Sequence, residues 1–145
     1  MPRKLRNLPN RSTPVAATHR RIVLIAQRDD ENRESLGTLL ESRGHEVHLA
    51  ATGEQAIAIV ATRQPDIVLL DLGLAGMDGE RAVAAMKSTP SPPPFVIAYT
   101  GFQHREGRAR AAGCDAFVLK PSLDFIIAVI EALDASAAAR GGALH

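Results

Sequence analysis

The chain has no tryptophan, one tyrosine, one cysteine and four phenylalanines among its 145 residues. Each shortage excludes something. With so few rings there is no stacking surface for bases, which argues against nucleic acid as the ligand. Cys114 has no second cysteine to bridge to, which fits a reducing compartment, so a cytoplasmic location is expected. No apolar run approaches the ~18–20 residues of a membrane span. No basic segment leads into an apolar stretch as a secretory signal would. The five histidines show no metal-ligand spacing: His45 and His48 fall in a strand region and the others are isolated. Acidic residues are missing from the first 28 positions, which carry seven Lys/Arg. The rest of the chain reverses this, with ten Lys/Arg against sixteen Asp/Glu.

What is present is an ordinary globular composition, 46% apolar and 23% charged, with an aliphatic core. The length suits one domain that buries about two-thirds of its unfolded surface. Residues 1–19, with Pro2, Pro9 and Pro14 and no apolar periodicity, read as a disordered basic arm. The folded domain is expected over 20–137, and 138–145 as a frayed tail too short to form an output domain.

From residue 21 onward strands and helices alternate. Ile22–Ala26 is a buried strand. A helix follows from Asp30 to Arg43, with acids in its first turn and Leu36, Leu39 and Leu40 at core spacing. Glu46–Ala50 is a half-polar edge strand, and Thr52 caps a helix running from Gly53 to about Arg63. Ile67–Leu70 is central, apolar on both faces. After the turn Gly73 to Gly79 comes a helix with Ala82, Val83 and Met86 inward. Phe95–Tyr99 and Ala116–Leu119 are the last strands, with a helix over His104–Ala112 between them. A final helix spans about Ser122 to Ala137, with Ile126, Val129, Ile130 and Leu133 as its core stripe and Phe125 and Ile127 outside it.

Five β–α units with short connections predict a flavodoxin-like α/β fold: a five-stranded parallel sheet in the order 2-1-3-4-5 with helices on both faces. Such folds place their chemistry at the carboxyl edge of the sheet. There the sequence puts Asp71 after the third strand, Thr100 after the fourth and Lys120 after the fifth. A carboxylate flanked by a hydroxyl and an ammonium suits a phosphoryl acceptor, the carboxylate as nucleophile and the other two holding the transferred oxygens. Such transfer depends on positioning and charge neutralisation, usually with Mg²⁺.

Three segments carry a resemblance. Asp66-Ile67-Val68-Leu69-Leu70-Asp71-Leu72-Gly73-Leu74-Ala75-Gly76-Met77-Asp78-Gly79, Ala98-Tyr99-Thr100-Gly101-Phe102 and Ala112-Gly113-Cys114-Asp115-Ala116-Phe117-Val118-Leu119-Lys120-Pro121 occur in order on the five units. From Arg21 to about Ala137 the chain closely resembles the receiver domain of two-component response regulators, the CheY-like fold. The resemblance implies phosphorylation on Asp71 by a histidine kinase. It also implies signal readout through Thr100 and Phe117, and a cis peptide before Pro121.

Two departures stand out. The resemblance implies two metal-holding acids after the first strand, and this chain has Gln27 and Arg28 there. Ala75 also stands where proline is usual. Mg²⁺ asks for hard oxygen ligands, and Asp71 with the Gly73 carbonyl makes at best a weak set, so no firmly bound cofactor is expected. Arg28 is expected to pair with Asp71 in place of the metal and lock the site. The expected function is therefore a stand-alone, non-enzymatic atypical receiver. It would act by protein–protein contact with a histidine kinase or other signalling protein, with Mg²⁺-dependent phosphorylation weakened or lost. A homodimer through the fourth and last helices is a further expectation, with Arg105, Arg108 and Arg110 available for charge pairing. The alternative is a conventional phosphoreceiver that recruits Asp29 or Asp30 for metal. An enzyme of similar fold fits less well: the second aspartate of haloacid-dehalogenase-type hydrolases, the Asp-x-His run of cobalamin domains and a dinucleotide fingerprint are all missing.

Overall fold

The computed structural model describes residues 20–74, 76–88, 92–101 and 103–132. Ala75, Leu133, the arm over 1–19 and the tail over 138–145 lie outside them. The strands are β1 (Ile22–Ala26), β2 (Glu46–Ala50), β3 (Ile67–Leu70), β4 (Phe95–Thr100) and β5 (Ala116–Leu119). The helices are α1 (Asp30–Ser42), α2 (Gly53–Arg63), α3 (Gly79–Lys87), α4 (Glu106–Ala112) and α5 (123–132). All five strands pair in parallel, in the order β2-β1-β3-β4-β5, as expected.

Side-chain alternation along the central strands divides the core in two. Leu24, Ala26, Val68, Leu70, Val96 and Ala98 face α2, α3 and α4, which contribute Ala56, Val60, Ala82, Val83, Met86 and Ala109. Val23, Ile25, Ile67, Leu69, Ile97 and Tyr99 face α1 and α5, which contribute Leu36, Leu40, Ile126 and Ile130. β3 lies between β1 and β4 and is buried along its whole length, which is why it reads as an unbroken apolar run.

Local chemistry sets the helix starts. The side chains of Asp29, Thr52 and Asp78 accept hydrogen bonds from the backbone N–H groups of Asn32, Gln55 and Arg81, capping α1, α2 and α3. Gly79 lets α3 begin hard against the strand-end turn: a Cβ there would lie 2.6 Å from the Leu72 Cα.

Three expectations are corrected. The helix expected over His104–Ala112 is a 3₁₀ turn at Gln103–Arg105 followed by α4. Ile127 is not outside the α5 stripe. It is partly buried against the α1/α5 core, because α5 packs on both the sheet and α1, to which the Arg43–Glu131 ion pair ties it. Arg105, expected to be available for charge pairing with a second copy, turns back onto Glu80 of α3 instead, Nε to Oε2 at 3.1 Å, and both side chains are largely buried. Phe125 is 56% exposed, as expected.

Candidate functional site

Asp71 follows β3 directly, and its N–H still bonds to the Ala26 carbonyl of β1 at 2.9 Å. The carboxylate thus leaves the sheet at the β1/β3 switch point. Its Oδ1 accepts the Gly73 N–H at 3.0 Å, closing a turn within the loop. Its Oδ2 takes the Lys120 ammonium at 3.0 Å, with side-chain exposures of 13% for Asp71 and 23% for Lys120. Topology brings these residues together: β4 separates β3 from β5, and the lysine stem spans it. The Lys120 N–H donates to the Thr100 carbonyl at 2.9 Å, so the β4 and β5 ends are also joined through the backbone.

Thr100 is fully buried at the end of β4 and belongs by alternation to the α2–α4 face. Phe117 is partly buried in that same core and lies opposite Ala98 in the β4–β5 register, one pleat behind Thr100. The Lys120–Pro121 peptide is cis. Asp71, Thr100, Phe117 and Lys120 therefore gather at one edge of β3–β5.

The end of β1 differs. Gln27 continues the strand by one hydrogen bond, its N–H to the Ala50 carbonyl at 3.1 Å, and is fully buried. Its side-chain Oε1 and Nε2 have no hydrogen-bond partner among the described residues. Arg28 is exposed and lines an open cleft with Asp29, Asp30, Glu31 and Asp71. The cation paired to Asp71 is Lys120 and not Arg28; this corrects the expected Arg28 lock, and exposure explains it. Asp29 spends a carboxylate oxygen on the Asn32 N–H at 2.8 Å. Asp30 pairs with Arg33, whose Nη1 also donates to the carbonyls of Gln27 at 2.9 Å and Arg28 at 3.4 Å. Arg33 thereby fixes the loop between β1 and α1. Its i,i+3 spacing from Asp30 was a readable sign of that role.

Cys114 lies away from this edge, buried beneath α4, and burial pushes its thiol up to about 11. That is the reverse of a reactive thiolate.

A model of the family described as "Response regulator receiver domain" matches residues 23–131. The Regulatory protein AtoC of Escherichia coli (strain K12) is 36% identical over 101 residues, 68% of this chain and 22% of that protein. The Transcriptional regulatory protein PdtaR of Mycobacterium tuberculosis is 34% identical over 124 residues, 83% of this chain and 60% of that protein. The chain thus spans less than two-thirds of these relatives. Among solved structures, the CheY-like response regulator receiver domain from Methanospirillum hungatei JF-1 superimposes with a TM-score of 0.73 at 25% identity, covering 81% of this chain and 96% of that one. The one from Methylobacillus flagellatus gives 0.72 at 23% identity over 79% of this chain and 98% of that one.

Proposed function

The chain belongs to the response regulator receiver family, and from that premise we propose that it is an atypical receiver, a non-enzymatic module that signals through protein–protein contact with Mg²⁺-dependent phosphorylation of Asp71 weakened or lost. The observation that carries the reading is the end of β1, where a buried Gln27 and a cationic Arg28 follow the strand. Octahedral Mg²⁺ needs several hard oxygens at close range, and a guanidinium in the same cleft raises the cost of placing a dication there. Asp29 and Asp30 are each committed within the first turns of α1. Among the described residues no three His, Cys, Asp or Glu side chains gather as a metal set. The residues present do not fit the ion.

Asp71 is paired instead with Lys120, Nζ to Oδ2 at 3.0 Å. A receiver held this way presents a constant surface to its partner, a histidine kinase or another signalling protein. Among the described residues no helix is long and apolar enough to cross a membrane, and a cytoplasmic site of action is part of the proposal.

One observation favours a second reading, the conventional phosphoreceiver: Asp29 and Asp30 line the same cleft as Asp71. Intact mass after incubation with acetyl phosphate, with and without Mg²⁺, separates the two. The atypical reading expects no adduct on the unmodified chain and a Mg²⁺-dependent adduct in Gln27→Asp/Arg28→Asp. A Mg²⁺-dependent adduct on the unmodified chain that disappears in Asp71→Asn makes it a working phosphoreceiver.

A further inference from the structure

The single tyrosine of the chain lies beside the Lys120–Asp71 pair, and no catalytic role asks for it there. Alternation along β4 sends Thr100 to one face of the sheet and Tyr99 to the other, among the residues that contact α1 and α5. Tyr99 is 4% exposed. Its ring centroid lies 5.6 Å from the Lys120 Nζ, a distance at which the negative face of a ring attracts an ammonium. Its hydroxyl accepts the backbone N–H of Ser122 at 3.0 Å. Ser122 immediately precedes α5, and its carbonyl accepts the Ile126 N–H at 3.0 Å in the first turn.

Lys120 is therefore held from both sides. Its own N–H is tied to Thr100 of β4, and two residues later the chain is tied to Tyr99 of the same strand. We propose that Tyr99 is the positioning residue for Lys120: the ring steers the ammonium and the hydroxyl anchors the loop, and together they hold the cation on Asp71. A lysine stem needs such help because its bonds rotate freely and the ammonium is a point charge with no preferred direction. It also has somewhere else to go. A cavity of about 250 Å³ lies between α1 and the start of α5, lined by Leu36, Tyr99, Lys120, Pro121 and Leu123 among others. Tyr99 forms part of its wall, so a smaller residue there enlarges the alternative space while removing both restraints. The inference concerns the ion pair itself and holds whether or not Asp71 accepts a phosphoryl group.

The chain has three lysines, Lys4, Lys87 and Lys120, so acetylation by a small activated ester can be followed peptide by peptide in a mass spectrometer. Lys87 is the control, since its ion pair with Asp115 is separate from the site. Asp71→Asn sets the labelling rate of Lys120 when its partner is lost. Tyr99→Leu is expected to raise Lys120 labelling several-fold, toward the Asp71→Asn rate, with Lys87 unchanged. Tyr99→Phe keeps the ring and is expected to fall between Tyr99→Leu and the unmodified chain. Lys120 labelling in Tyr99→Leu equal to that of the unmodified chain overturns the proposal, as does an equal rise at Lys87, the mark of general loosening. Should Tyr99→Leu fail to fold, Tyr99→Phe decides: faster labelling at Lys120 alone supports the proposal and an unchanged rate overturns it.

Discussion

The carboxyl edge of this sheet has two halves built to different standards. Over β3, β4 and β5 the polar groups are joined to one another: Asp71 bonds Gly73 and Lys120, and Lys120 bonds Thr100 through the backbone. At the end of β1, across the switch point, Gln27 is sealed in the interior with no partner for its amide among the described residues, and Arg28 is exposed at the open cleft. Buried polar groups are normally satisfied, because an amide that gives up water without a partner loses that interaction outright. One half joins its polar groups to one another, and the other buries an amide with no partner among the described residues. The contrast lies between one strand end and the rest of the same edge.

The largest effect is expected in the satisfied half. Lys120→Met removes the ammonium and leaves a carboxylate that is 13% exposed and held, among the described residues, by the Gly73 N–H alone. A loss of about 1–3 kcal/mol is expected, read as a lower urea midpoint at unchanged slope. An unchanged midpoint would mean that the pair adds nothing and would remove the contrast.

The unsatisfied half should respond with the opposite sign. Gln27→Leu replaces a fully buried amide, without a partner among the described residues, with a branched alkyl group of similar bulk. Stability is expected to rise by about 1–2 kcal/mol, since a desolvation penalty is removed and apolar burial is gained. Destabilisation would show that the amide is paired in solution and that the two halves are equals.

Much of this was legible in the sequence, and the failures have a common cause. The strands appear as apolar runs and Asp71 at the end of one, so five β–α units already imply the sheet order and the meeting of Asp71 with Lys120. Thr52 and the first-turn acids of α1 mark helix starts by local rules that need no tertiary knowledge. What could not be read are contacts between distant segments. Arg105 looks like one charge on a basic helix because Glu80, its partner, lies 25 residues earlier on α3. Ile127 falls off a stripe computed for one buried side, yet α5 is enclosed from two. Gln27 reads only as a position where the resemblance implies a metal-holding acid, and its burial follows from strand pairing, one more hydrogen bond to Ala50. The ring beneath Lys120 has no sequence signature at all.

The two smallest effects test the β1–α1 loop. Asp29→Ala deletes the oxygen that accepts the Asn32 N–H, and a loss of about 1 kcal/mol is expected, as for other N-cap truncations. Arg28→Ala should do least. Its side chain is exposed and makes no ion pair among the described residues, so the urea midpoint is expected to stay within about 0.5 kcal/mol of the unmodified chain. The acetylation rate of Lys120 should also be unchanged, because the Lys120–Asp71 pair does not involve Arg28. A guanidinium seated on Asp71 in solution would give the contrary result on both counts: a lower midpoint and altered labelling of a lysine that had been competing for the same carboxylate. The end of β1 would then hold a cation in service at the site, and its difference from the rest of the edge would be one of charge rather than of neglect.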